Sequence, residues 1–215
     1  MHLTDIPLDQ GSWTLMARTN SFAQDLAYEL EDMGYFYSLK NKPSVPLEQA
    51  KAIHVWRELR EGKAVEVARV REFYETVPKQ GDFKVVKKNS TKLLDAVPPD
   101  GLLTYEELLS DFCLVAPKER DEYSIVRVGN DMEQYIRSIE RRGQNITKPP
   151  RIKVSTFHAM KGGEDDNCVV YTGSTYRCVE ENDPDDEHRA FYVAVTRAKK
   201  RLYLLESNKK YRYIV

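Results

Sequence analysis

The sequence predicts an α/β domain in which a parallel β-sheet with packed helices is interrupted by a mostly helical insertion. Strand-like and helix-like patterns alternate in residues 1–46 and again in residues 148–215. The residues that separate them, 47–147, are mainly helical in pattern. Since alternating strands and helices are typical of parallel sheets, we expect the two outer segments to share one sheet.

Composition and charge limit the classes of protein to which the chain can belong. Its 215 residues are 41% hydrophobic, which is enough to bury a substantial core. Thirty-three lysines and arginines nearly balance 34 acidic residues, so any polyanion must bind at a local cluster. No charged-then-apolar leader and no apolar run of about 18 residues occurs, so we predict neither secretion nor a membrane span.

The three cysteines, Cys113, Cys168 and Cys178, are odd in number and lack a C-x-x-C spacing. The pattern therefore indicates neither a disulfide framework nor a zinc site. We predict no metal site in this chain. A reducing, intracellular setting fits these cysteines best, and we expect a cytoplasmic protein of a bacterium or phage.

The first segment opens with a predicted strand and helix. "WTLMARTN", from residue 13, has strand-like residues that end in a polar corner. A helix follows, with Asn20 or Ser21 as its cap and Gly34 as its stop. Its apolar residues recur at helical spacing: Phe22, Leu26, Leu30 and Met33. "YFYSL", at 35–39, predicts a second strand.

The middle segment, 47–147, is predicted to be a small helical insertion. "LEQAKAIHVWRELREG" places Ile53, Trp56 and Leu59 on one helical face, and Gly62 supplies a stop. "TYEELLSDF" begins with a capping box, in which Thr104 and Glu107 satisfy the first backbone N–H groups of a helix.

The last segment, 148–215, returns to alternating strands and helices. "RIKVST" turns Ile152 and Val154 inward, and "NCVVYTG" is a nearly continuous apolar run of the kind that is buried in a parallel sheet. "EHRAFYVAVTRAKK" predicts a helix, and "RLYLLES" predicts a closing strand.

Between the first two of these strands lies "FHAMKGGEDD", which contains Gly162 and Gly163. A turn that follows a buried parallel strand lies at the carboxyl end of the sheet, where α/β proteins bind ligands, and glycines let the backbone approach a ligand closely. We therefore predict a ligand site in this turn. The alternative is a sharp turn followed by a solvated acidic loop.

The predicted helix that follows has two distinct faces. At a period of 3.6 residues, one face carries Phe191, Val195 and Ala198, and the opposite face carries Arg189, Thr196 and Lys200. Arg197 lies at the border, where its planar fork could bind a phosphate on a neighbouring surface. The alternative is an ordinary amphipathic helix with a solvated basic face.

Taken together, these segments resemble a known family. "STFHAMKGGE", followed about 30 residues later by "HRAFYVAVTRAKKRLYL", resembles motifs V and VI of superfamily-one DNA helicases of the UvrD, Rep and PcrA type. "LMARTN" resembles their motif IVa. The insertion stands where the family carries its 2B subdomain, so the resemblance implies a RecA-like domain of the P-loop NTPase type with a 2B-like insertion, and 3′-to-5′ movement along DNA.

Two motifs of an active helicase are missing from the chain. No G-x-x-x-x-G-K-[ST] phosphate loop occurs, and no Walker-B-like strand ends in Asp-Glu. The resemblance then implies the second RecA-like domain of an ATP-dependent helicase, cut from a longer protein or working beside a separate first domain. ATP and Mg²⁺ would be bound mainly by that N-terminal RecA-like domain, and this chain alone would not hydrolyse ATP.

The resemblance also implies roles for residues on the ATP side. Arg197 would be the arginine finger that stabilises charge on the γ-phosphate during hydrolysis. Glu164 would accept a hydrogen bond from the nucleotide sugar, and Gly162 and Gly163 would keep the backbone close to the phosphates. Lys161 could neutralise phosphate or be solvated.

On the DNA side, the resemblance implies contacts with the backbone of single-stranded DNA. Thr156 and His158 would make these contacts, with Arg18 and Asn20 on the same track. Backbone contacts of this kind recognise charge and shape rather than sequence, as a motor on DNA requires. Tyr192 could join them or be a core aromatic.

Two other functions are compatible with parts of the sequence. A helicase-like chain without a Walker A lysine could be a non-catalytic module that binds DNA or protein. A metal nuclease could use the acidic run at 183–187, whose carboxylates are Asp183, Asp185, Asp186 and Glu187, although such runs are usually solvated loops.

Overall fold

The computed structural model describes residues 2–160, 163–181 and 183–214. The chain forms two compact units, one of residues 1–44 and 137–215 and the other of residues 45–136. In chain order, the strands and helices are β1 (Trp13–Ala17), α1 (Asn20–Asp32), β2 (Tyr37–Leu39), β3 (Lys42–Pro43), α2 (Leu47–Arg60), β4 (Val65–Glu66), α3 (Val67–Thr76), β5 (Leu102–Leu103), α4 (Tyr105–Ser110), α5 (Glu122–Ile125), α6 (Asn130–Arg141), β6 (Ile152–Thr156), β7 (Asp165–Tyr171), α7 (Pro184–Val195) and β8 (Ala198–Leu205).

The first unit contains a six-stranded sheet with the order β3-β2-β6-β1-β7-β8. Every neighbouring pair is parallel except β2 and β3, which are antiparallel. Strands that precede residues 45–136 in the chain and strands that follow them therefore belong to one sheet. This topology confirms the predicted α/β class and its mainly parallel sheet.

Strand β1 lies at the centre of the sheet because it can be buried on both faces. All five of its residues are buried, and Leu15 pairs with Val154 on one side and with Val169 on the other. The near-continuous apolar runs of β1 and β7 suit strands that are covered on both faces.

The N-cap of helix α1 lies one residue before the first of the two predicted caps. Thr19, and not Asn20 or Ser21, is the N-cap, since its hydroxyl accepts a hydrogen bond from the backbone N–H of Phe22. Gly34 ends the helix as predicted, with a positive φ of 73° that a residue with a side chain rarely adopts. The buried residues Phe22, Leu26 and Leu30 confirm the predicted apolar face.

The predicted helix at residues 187–200 is wrong at its carboxyl end. Helix α7 ends at Val195, and Ala198 and Lys200 lie in β8. Phe191 and Val195 still face the core, but Ala198 does not belong to their helical face. The reason is long-range, because β8 pairs with β7 from Asp165 and Ala198 onward, and local periodicity cannot show such pairing.

The second unit is mostly helical and has its own aromatic core. In α2, Ile53, Trp56 and Leu59 are buried as predicted, and the Trp56 ring stacks on Phe73 at 6.0 Å between centroids. The predicted capping box of Thr104 is present at the start of α4. Among the described residues, no helix of either unit has the length and apolarity needed to cross a membrane.

Candidate functional site

The connection between β6 and β7 runs from one end of the sheet to the other. We call the end at which the parallel strands finish the carboxyl end, and the opposite one the amino end. Since β6 finishes at Thr156 and β7 begins at Asp165, the chain passes from one end of the sheet to the other between these two residues. Phe157, which directly follows β6, lies on the face covered by α7, because it packs in a cluster with Ala194.

This path corrects the predicted position of the ligand turn. Gly163 and Glu164 precede β7 and lie at the amino end of the sheet, not at the carboxyl end. The physical reason is that β6 and β7 both run parallel to β1, so the residues directly before β7 lie at the end where the parallel strands begin. Lys161 and Gly162 lie outside the described residues.

The four predicted DNA-binding residues lie together at the carboxyl end. Arg18 and Asn20 follow β1, and Thr156 and His158 finish or follow β6. The two strand ends are neighbours, since Ala17 pairs with Thr156 and the N–H of Phe157 donates to the carbonyl of Ala17 at 3.0 Å. Asn20 and His158 are exposed.

Arg18 differs from the other three because its side chain forms an ion pair within the protein. Its Nε donates to Oε2 of Glu187 at 2.7 Å, and its Nη2 donates to Oε1. The hydroxyl of Tyr213 donates to the same carboxylate at 2.8 Å. The hydrogen bond to Glu187 is the main cause of a raised pKa of Arg18. Because the Arg18 side chain is already bound to Glu187, a contact of Arg18 with DNA stays a prediction.

The predicted ATP-binding residues gather at the amino end of β7 and β8. Nη1 of Arg197 donates to the carbonyl of Gly163 at 3.4 Å, and its Nε donates to the carbonyl of Val193 at 2.7 Å. The carbonyl of Arg197 accepts from the N–H of Asp165 at 3.1 Å. Glu164 is 54% exposed, with Nζ of Lys199 at 3.4 Å.

The sequence also matches the model of a known protein family. The UvrD-like helicase C-terminal domain matches residues 47–209. The chain belongs to this family. No curated protein matches the sequence. The match contains both motif V and motif VI. It also covers the insertion, for which the sequence had suggested the family only by position and helical character.

Membership makes the chain a helicase C-terminal domain and confirms the predicted RecA-like class of its sheet. The match begins at residue 47 and so leaves out "LMARTN". The structure nevertheless puts the end of that segment beside motif V, through the pairing of β1 with β6.

This UvrD-like domain contains a buried carboxylate that the sequence pattern did not reveal. Asp165 is 6% exposed, and it accepts hydrogen bonds from the hydroxyls of Ser12 and Thr14. Burial alone would raise its pKa, but these bonds lower it. Burial also raises the pKa of the nearby Cys168 thiol to about 11. The solvated-loop interpretation is therefore wrong for Asp165, which anchors β7 beside Arg197.

The acidic run at 183–187 forms the start of α7. Asp183 is the N-cap and accepts from the N–H of Asp185 at 2.9 Å, and acidic residues in a first turn favour the helix dipole. Asp186 pairs with Arg189 and Glu187 with Arg18. Over the described ranges, no group of three or more His, Cys, Asp or Glu side chains could hold a metal ion.

Tyr213 is a functional candidate that the sequence did not reveal, and Glu187 stood out there only as one carboxylate of an acidic run. A glutamate in a first helical turn looks like a dipole-favouring residue, and only the fold brings Arg18 and Tyr213 to it. Tyr192 is 67% exposed. It therefore lies on the surface of α7 and is not a core aromatic of this domain.

Proposed function

We propose that this chain is the second RecA-like domain of an ATP-dependent DNA helicase or translocase. It supplies Arg197 as the arginine finger and part of the track for single-stranded DNA. ATP and Mg²⁺ are held mainly by an N-terminal RecA-like domain. The chain alone does not hydrolyse ATP, because it contributes no phosphate loop.

The observation that carries this proposal is the contact between motif V and motif VI. The Arg197 guanidinium reaches the Gly163 carbonyl, which brings together two segments that the resemblance assigns to one ATP site. The contact is long, so it can be exchanged for a phosphate oxygen at little cost.

The groups at the amino end fit a nucleotide by their chemistry. Arg197 offers a planar fork with a permanent charge for a γ-phosphate, and the exposed carboxylate of Glu164 can accept a hydrogen bond from a sugar hydroxyl. A Cβ at Gly163 would come within 2.8 Å of the terminal methyl group of Met160, so a larger residue there would require this methionine to move. ATP bound there would supply the phosphoryl group, and these residues orient it and stabilise its charge.

The carboxyl end fits a DNA backbone. Asn20, Thr156 and His158 offer amide, hydroxyl and imidazole groups along two adjacent strand ends, and such groups bind phosphate and sugar without reading sequence. Because residues 157–164 and helix α7 both run from this end to the amino end, each links a DNA contact to an ATP contact.

The decisive experiment compares the chain alone with the chain joined to an N-terminal RecA-like domain of its parent. We expect no DNA-stimulated ATP hydrolysis above background from the chain alone, and stimulated hydrolysis from the joined protein. Rapid turnover by the purified chain would contradict the division of labour. Oligo(dT) binding without any stimulated hydrolysis in the joined protein would instead favour the non-catalytic binding module.

A further inference from the structure

The carboxylate of Glu187 joins three separate parts of the chain. It accepts two hydrogen bonds from Arg18, which follows β1, and one from Tyr213, near the carboxyl terminus. The Glu187 side chain is 7% exposed and that of Arg18 is 14% exposed. A buried carboxylate that loses its cation is strongly disfavoured, so this cluster holds the first turn of α7 against the end of β1.

Helix α7 connects this cluster to Arg197. Eight positions of α7 separate Glu187 from Val195, the last helical residue, which corresponds to about 12 Å along the helix. Arg197 follows two residues later. The helix is fastened to the core near its middle, where Phe191 stacks on Tyr213 with centroids 4.4 Å apart. Tyr213 therefore contacts α7 twice, through its hydroxyl at Glu187 and through its ring at Phe191.

A phosphate of DNA and Glu187 compete for the same guanidinium. Arg18 lies beside Thr156 at the carboxyl end, on the track proposed above for DNA. When Arg18 turns to a phosphate, Glu187 loses that counter-ion, and the first turn of α7 gains by moving toward solvent. A helix that shifts as a body carries its other end with it.

We propose that Glu187 is a positioning residue that sets the placement of Arg197, and that DNA acts on it by withdrawing Arg18. The link between Glu187 and Arg197 stands on the contacts above, and its use in coupling DNA to ATP hydrolysis rests on the proposed function. Neither residue of the Arg18–Glu187 pair needs to touch ATP for this role.

The test observes the side-chain Nε–H groups of the two arginines by NMR in the ¹⁵N-labelled chain. Both groups are hydrogen-bonded, that of Arg18 to Glu187 and that of Arg197 to Val193, which slows their exchange with water. Glu187→Gln keeps the shape of the side chain and removes its charge. Asp186→Asn is the matched control, because it removes a carboxylate from the same turn that pairs on the surface with Arg189.

Without DNA, we expect Glu187→Gln to shift the Arg197 signal several-fold more than Asp186→Asn does. Tyr213→Phe, which keeps the stacked ring, should shift it in the same direction by a smaller amount, and it provides the test if Glu187→Gln does not fold. A changed Arg18 signal with an unchanged Arg197 signal in both variants would overturn the proposal, since the cluster would then be an ordinary structural ion pair.

Oligo(dT) then separates this inference from the proposed function. In the wild-type chain it should shift both arginine signals, whereas in Glu187→Gln the Arg197 response should be lost although DNA still binds within a few-fold of the original affinity. If oligo(dT) shifts only the Arg18 signal in the wild-type chain, the proposed coupling is wrong, whereas the proposed function is not contradicted. No binding of oligo(dT) would contradict the proposed function and the withdrawal of Arg18, while the DNA-free shifts still decide whether Glu187 positions Arg197.

Discussion

The two ends of the sheet hold their arginines in different ways. At the carboxyl end, Arg18 is nearly buried and bound to the carboxylate of Glu187. At the amino end, the described partners of the Arg197 guanidinium are uncharged oxygens of Val193, Gly163 and Thr196. A guanidinium whose charge is balanced by a buried carboxylate suits the positioning of a helix. One whose described partners are uncharged, just past the carboxyl end of α7 where the helix dipole favours a cation, suits an approaching phosphate.

The largest effect is expected from Arg197 at the amino end. In the joined two-domain protein, Arg197→Ala should lower kcat for ATP hydrolysis by about a hundredfold or more, because the guanidinium acts on charge that develops in the transition state. Affinity for single-stranded DNA should stay within a few-fold. Arg197→Lys should recover little activity, since a point charge cannot replace the bidentate fork.

Arg189, which is exposed on helix α7, provides the control. Arg189→Ala should leave kcat nearly unchanged. If Arg197→Ala weakened DNA binding and left the hydrolysis rate of each bound complex intact, motif VI would be a basic binding face.

At the carboxyl end, Arg18→Ala should show a loss of stability. It leaves the carboxylate of Glu187 without this counter-ion in a site that is almost closed to water, so the free energy of unfolding should fall by about 2–3 kcal/mol. Urea denaturation measures this change. Lys51→Ala breaks an ion pair whose side chains are 45% and 53% exposed, and it should cost less than about 1 kcal/mol. If the free energy of unfolding fell equally in Arg18→Ala and Lys51→Ala, the buried Arg18–Glu187 pair would matter no more than an exposed ion pair.

Asp165 gives the amino end a dependence on pH. Its folded-state pKa is lowered by hydrogen bonds from Ser12 and Thr14, so its stabilisation is present above the unfolded-state pKa of about 3.9 and is lost as pH falls through the lower folded-state value. At neutral pH, Asp165→Asn should lower the free energy of unfolding by about 1–2 kcal/mol, since it removes hydrogen bonds to a charged group.

The difference between Asp165→Asn and the wild type should shrink below about pH 4, as measured by urea denaturation across a pH series. Asp166→Asn changes the neighbouring carboxylate, which is 39% exposed and pairs with Lys200, and it should show a smaller difference at neutral pH. A difference for Asp165→Asn that stayed constant down to about pH 2 would mean that its charge does not matter.

The smallest effect is expected from His158. His158→Ala should weaken binding of oligo(dT) by about fivefold, because one backbone contact contributes about 1 kcal/mol, and it should spare basal ATP hydrolysis. Fluorescence anisotropy with a labelled oligonucleotide measures the affinity. His54→Ala in the second unit serves as the control. An unchanged affinity in His158→Ala would remove this residue from the track.

Local patterns in the sequence predicted much of the fold. The apolar face of α1, its stop at Gly34, the capping box of Thr104 and the buried run of β7 all follow from interactions between residues close in the chain. Motifs V and VI are likewise contiguous strings, so the helicase family can be recognised from the order of the residues alone. Such features depend on helical or strand periodicity and on hydrogen bonds that span three or four residues.

Tertiary pairing decided the rest. Parallel pairing with β7 converted Ala198 and Lys200 from helix to strand, and the short crossing after β6 moved Gly163 and Glu164 to the opposite end of the sheet from His158. The contact of Glu187 with Arg18 joins residues 169 positions apart. The sequence by itself therefore determined the main elements of the sheet and the family to which the chain belongs. Long-range pairing decided where α7 gives way to β8 and which side chains meet, because no local period encodes the partner of a strand.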